Sequence, residues 1–100
     1  MIIEVLYFEG CPNRGAAVTL VERVAAELGV ITEIREVEVR DQTHAERLRF
    51  LGSPTVRVDG VDIEPEGAAR TDYALCCRTY GRSGVPPRDR IVAAIEAAQP

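Results

Sequence analysis

The sequence predicts a single α/β domain, a four-stranded mixed sheet with helices on both faces in the order β-α-β-α-β-β-α. Three observations carry that expectation. Residues 2–8, "IIEVLYF", are an apolar, β-rich run of the kind a sheet buries on both faces. Residues 14–28, "RGAAVTLVERVAAEL", follow with helical spacing. The second half alternates around Asp59–Gly60, a hairpin signal. A chain of 100 residues suits one small domain spanning 1–100, and 46% apolar residues is enough for one modest core.

Each element has a local reason. In the first helix Val18, Leu20, Val21, Val24, Ala25 and Leu28 form the apolar stripe, and Gly29 stands where a C′ glycine ends a helix. Residues 31–39, "ITEIREVEV", read as a half-exposed or edge strand whose Glu33, Glu36 and Glu38 discourage foreign pairing. In "RDQTHAERLRFLGS", Thr43 and Glu46 fit a capping box, Leu48 and Leu51 give an apolar side, and Gly52 stops the helix. "PTVRVDGVDI" is the third strand with its turn. Residues 64–71 read as a loop and 72–80, "DYALCCRTY", as the fourth strand. "GRSGVPP" is a loop whose prolines suit a helix start. In the last helix, "RDRIVAAIEAA", Ile91, Val92 and Ile95 face inward. The first half is thus a βαβ unit with a right-handed crossover, and the second an antiparallel pair with a covering helix.

Composition excludes several classes. The net charge is −4, which argues against a nucleic-acid partner. All 12 basic residues are arginine, so Schiff-base lysine chemistry is out. No window is long and apolar enough for a membrane span. "MIIEVLYF" carries Glu4 and no basic n-region, unlike a secretory signal, and the expected location is cytoplasmic. The lone His44 reads as a solvated helix residue. Tyr7 and Tyr80 can line a cleft or pack on strands.

The chemistry rests on sulfur. There are 3 cysteines, Cys11, Cys76 and Cys77. Cys11 falls between the first strand and first helix, where unpaired helix N–H groups and the dipole favour a thiolate. Arg14 adds positive charge nearby, and Pro12 sits where a missing N–H costs nothing. Position 14 is also where a C-x-x-C motif has its second cysteine, so an internal dithiol is absent there. Cys76 and Cys77 are neighbours on an expected strand, so one at most looks toward Cys11, and the pattern leaves open which. A packing role for one of them is the plain alternative. Arg78, beside the pair, is a candidate for binding an anionic group such as a thiol cofactor's carboxylate. A closed zinc site is not expected, because C-x-x-C spacing is missing.

Two motifs then resemble those of the thioredoxin-like superfamily, at glutaredoxin size: Gly10-Cys11-Pro12-Asn13-Arg14, similar to the glutaredoxin G-C-P-x-C, and Ser53-Pro54-Thr55-Val56. The resemblance covers nearly the whole chain. It implies a cis Ser53–Pro54 bond, with Pro54 facing Cys11. It further implies Cys11 as nucleophile with Arg14 and Pro54 beside it, and Pro12, Ser53 and Thr55 toward substrate. A second, narrower resemblance lies in "ALCCRTYGRSGVPPRDRIVAAI", which is similar to small bacterial alkylmercury lyase-like proteins. Alkylmercury lyases use two cysteines, one from a Cys-Cys pair, and an aspartate three positions after the other; here that position is Arg14. This resemblance implies a thiophilic-metal site from Cys11 with Cys76 or Cys77.

Three functions follow as expectations. The first is monothiol thiol–disulfide exchange at Cys11 on a small thiol or disulfide substrate, with a low-molecular-weight thiol as external reductant. The second is binding of mercury, an organomercurial or another thiophilic metal. The third is a non-catalytic interaction module.

Overall fold

The structure is a computed structural model that describes residues 1–80 and 83–99; the expected loop residues Gly81 and Arg82 lie outside the described residues. β1 (Ile2–Tyr7) leads to α1 (Arg14–Glu27), β2 (Glu33–Glu38), α2 (Gln42–Leu48), β3 (Thr55–Val58) and β4 (Val61–Asp62). A 3₁₀ turn at Pro65–Ala69 and α3 (Arg88–Ala98) follow. The sheet order is β2-β1-β3-β4. β1 and β2 are parallel, in register from Ile2 with Glu33 to Tyr7 with Glu38. β3 runs antiparallel to both β1 and β4. The fold is therefore α/β with a four-stranded mixed sheet. No described helix is long and apolar enough to cross a membrane.

Strand alternation divides the core. Ile3, Val5, Val56 and Val58 pack with Ala17, Val21 and Val24 of α1 and with Ile91 and Ile95 of α3. On the other face Leu6 packs with Val39, Ala45 of α2 and Phe50. Each fully buried Val or Ile contributes about 1.5–3 kcal/mol through removal from water. The glutamates of β2 stand on an edge, as expected. The β3–β4 hairpin turns at Asp59 (φ 48°) and Gly60 (φ 85°), and Ile2 N donates to Asp59 Oδ1 at 2.8 Å, tying the turn to β1.

Several expectations are corrected. Asp41, not Thr43, caps α2: its side chain accepts from His44 N, and no Thr43–Glu46 box forms among the described residues. α2 ends before Gly52, at Leu48, because Arg49 turns left-handed (φ 55°) and Arg57 Nη2 takes up the Leu48 and Arg49 carbonyls at 2.6 and 2.9 Å. Residues 64–71 are not all loop, since the 3₁₀ turn lies there. Residues 72–80 are not a strand. β4 already fills the outer edge of β3, which leaves this segment one isolated bridge, between Cys77 and Ser53.

Candidate functional site

β1 ends at Tyr7, and a short turn carries the chain to α1. Cys11 N donates to Phe8 O at 3.2 Å inside that turn, and the Cys11 thiol is free and half-buried. Asn13 is the N-cap of α1 but makes no side-chain cap, and the first turn holds no acidic residue. Among the described residues those N–H donors thus have no side-chain acceptor at the helix start, next to the thiol-bearing turn. The Asn13 amide instead stands against Gly84, where a Cβ would overlap it; Gly84 also has φ +72°. Gly84 N donates to Thr79 O at 2.8 Å, so Gly84 touches both Thr79 and the start of α1.

β3 starts at the same end of the sheet. Leu6 pairs with Thr55, so one step further sets Pro54 alongside Tyr7. The Ser53–Pro54 peptide bond is cis. Pro54 O accepts from Tyr80 Oη at 2.5 Å, and Thr55 Oγ1 donates to Gly52 O at 2.5 Å. Ser53 is fully buried, and its Oγ has no hydrogen-bond partner among the described residues. Its backbone is fully engaged: Ser53 N donates to Cys76 O at 2.7 Å, and Ser53 O accepts from Arg78 N at 2.9 Å. Gly52 allows this approach. A Cβ there would meet Arg78 Cβ at 3.1 Å and Cys76 O at 3.2 Å, and its φ of +119° disfavours any side chain.

The three residues of the Cys76–Arg78 segment are placed as follows. Cys76 and Cys77 are both exposed, so neither packs in the core. They line a hollow of about 250 Å³ with Glu64, Glu66 and Arg70. Arg78, a candidate for an external anion in the sequence, is 5% exposed and paired inside the protein. It holds Asp62 at 2.8 Å and Glu64 at 2.7 Å, reaches Thr55 Oγ1 at 3.2 Å, and lies 4.9 Å over the Tyr80 ring. Burial works against its charge, yet the Asp62 hydrogen bond and its other partners outweigh burial, so its pKa is raised. Burial likewise pushes the Tyr80 phenol well above its ordinary range.

Arg14 is drawn to one side. Its Nε donates to Glu36 Oε1 at 2.7 Å and its guanidinium lies 3.7 Å over the Tyr7 ring. The Glu36 hydrogen bond raises its pKa, and the same carboxylate offsets its charge locally. Tyr7 lines a larger hollow of about 710 Å³ with Glu36, Glu38, Asp41 and His44; His44 Nδ1 accepts from Arg40 N at 3.2 Å. Pro12 is exposed at the thiol turn.

The structure brings Pro12, Pro54, Thr55 and the turn bearing Cys11 to one end of the sheet, with Ser53 and Cys77 adjoining. It does not assemble a three-thiol metal site: among the described residues no three His, Cys, Asp or Glu side chains are grouped to hold an ion. The partners that fix Arg78, Asp62 and Glu64, were missed by sequence reasoning. They lie 16 and 14 residues away and carry no local signal. No protein-family model matches the chain, and no curated protein or solved structure shows significant similarity to it.

Proposed function

We propose that this is a thioredoxin-like thiol-exchange protein in which Cys11 is the attacking thiol. The observation that carries the reading is the placement of Cys11, half-buried at the β1–α1 turn beside uncapped helix N–H groups, at the sheet end where Pro54 leads into β3. The strand order β2-β1-β3-β4 supports the same family reading. In the proposed reaction the Cys11 thiolate attacks one sulfur of a small mixed disulfide. A Cys11–S–S bond forms and the other sulfur leaves as a thiol. An external low-molecular-weight thiol then attacks that bond, releases Cys11 and departs as a disulfide. Pro12 is the exposed side chain the substrate would meet beside Cys11, with Pro54 and Thr55 buried behind it.

The test is turnover of the mixed disulfide between glutathione and hydroxyethanethiol, with excess glutathione as reductant. The parent turns over and Cys11→Ser does not. Equal rates for the two sink the reading.

A second reading, thiophilic-metal capture, is favoured by one observation: Cys76 and Cys77 are both exposed and adjacent. Thiolates select soft ions. One equivalent of Hg²⁺ bound in native mass spectra, and lost in the Cys76→Ser/Cys77→Ser double variant, is its expected result. Retained binding removes it. Arg14 supplies no proton-donating carboxyl, so cleavage of phenylmercury is not expected.

A further inference from the structure

We propose that the hollow between the end of α2 and the β3–β4 hairpin binds an organic monoanion, a carboxylate carried on a flat apolar body. The hollow measures about 340 Å³ and is lined by Leu48, Arg49, Leu51, Arg57, Val61 and Tyr73. Small-molecule sites span roughly 300–1,000 Å³. Arg57 is half-buried on β3. Among the described residues only its Nη2 has protein acceptors, the Leu48 and Arg49 carbonyls that close α2. Its Nε and Nη1 donate to no protein group there, and neither is sealed from solvent, since Ser53 Oγ is the unpaired side-chain atom that is. Burial is the largest influence on Arg57 and lowers its pKa; Asp62 and Glu4 pull the other way without forming an ion pair with it. Asp62 also lines the hollow, but Arg78 holds both its oxygens, and Oδ1 accepts from Glu64 N as well. A bound anion would thus supply the counter-charge that Arg57 lacks. Arg49, left-handed at φ 55°, adds a second guanidinium with no ion-pair partner among the described residues.

The remaining lining suits an apolar body. Leu48 and Leu51 are aliphatic, and Val61 stands 67% exposed on the edge strand. Tyr73 adds an aromatic ring on a fixed backbone: its carbonyl accepts from Gln42 Nε2 at 2.7 Å, and the next residue's Ala74 N donates to Phe50 O at 3.1 Å. The net charge of −4 disfavours polyanions, so a single carboxylate fits better than phosphate. Such a carboxylate comes from a free aromatic acid or from the C-terminal residue of a peptide.

The experiment titrates the isotope-labelled full chain with cinnamate, with neutral cinnamamide, with inorganic phosphate and with N-acetyl-leucyl-phenylalanine, followed by amide and arginine Nε–H resonances. Cinnamate is expected to saturate with a Kd on the order of 1 mM or tighter, the range for a ligand of its size. It should move the Arg57 Nε–H signal and the amides of Arg49, Gly60 and Tyr73. Cinnamamide, phosphate and the Arg49→Gln variant should each weaken binding about tenfold, the size of a charge-assisted hydrogen bond. Arg49→Gln keeps the Arg57 bonds that close α2, so its effect reads the site and not the fold. Tighter binding of the dipeptide than of cinnamate assigns the site to peptide ends, and the reverse assigns it to free acids. Absence of saturable shifts, equal binding of cinnamamide, tighter binding of phosphate, or unchanged binding by Arg49→Gln overturns the proposal. None of these residues belongs to the Cys11 turn, so each outcome leaves Cys11 as the attacking thiol.

Discussion

Arg78 grips both oxygens of one carboxylate: Nη1 donates to Asp62 Oδ2 at 2.8 Å and Nη2 to Asp62 Oδ1 at 2.9 Å. A two-residue strand, β4, is thereby bound to the segment that carries both neighbouring cysteines. Breaking a buried pair strands the remaining charge, at a cost of about 3–5 kcal/mol. Arg78→Ala is expected to lower stability by about that amount in urea unfolding. Arg70→Ala, which removes an exposed pair with Asp72 in the same region, leaves the midpoint unchanged. Equal effects of the two would mean that Arg78 does not anchor the segment.

Tyr80 makes stability depend on alkaline pH. Burial raises its phenol in the folded chain above the ordinary value of 10.0. The neutral phenol is therefore favoured by folding. Its contribution is complete below about pH 10 and is lost as pH rises from there toward the folded value, because only the unfolded chain releases that proton readily. Phenolate absorbance should show one tyrosine ionising late, together with unfolding, and Tyr80→Phe should remove that late step. At neutral pH the same variant loses the bond to Pro54 O and about 1 kcal/mol of stability.

Gly52 is the close-approach point. Its φ is +119°, and a β-carbon at this position would lie 3.2 Å from both Arg78 N and Cys76 O, so Gly52→Ala must push residues 76–78 away. A loss of at least about 1–2 kcal/mol is expected from the backbone conformation alone. Hydrogen exchange at Arg78 N, whose acceptor is Ser53 O, should accelerate in the same variant.

Arg14 is offset by Glu36, and both side chains are 41% exposed. Arg14→Gln should change the alkylation rate of Cys11 by no more than about threefold, the size expected for an exposed, screened charge. Glu36→Gln releases the guanidinium from its partner and should speed alkylation. A large loss in Arg14→Gln would show that its charge acts on Cys11 despite the pair.

Much of the fold was legible because its signals are local. The apolar run of β1, the stripe of α1, the charged edge of β2 and the Asp59–Gly60 turn each lie within a few residues. Cys11 was legible for the same reason, as a thiol between a strand and a helix. The segment 72–80 was not. Its composition suits a strand, but whether it pairs depends on whether the β3 edge is free, and Val61–Asp62 occupies that edge first. The α2 cap was a contest between Asp41 and Thr43, two good capping residues, which side-chain geometry decided. The burial of Arg78 depended wholly on carboxylates brought in by tertiary folding.

The most direct measurement of the central claim is the alkylation rate of each cysteine in the folded chain, followed with iodoacetamide from acid to alkaline pH and resolved by peptide mapping. Cys11, though the least exposed of the three thiols, is predicted to react fastest at neutral pH. A Cys11 that reacts more slowly than Cys76 and Cys77 throughout would contradict its role as the attacking thiol.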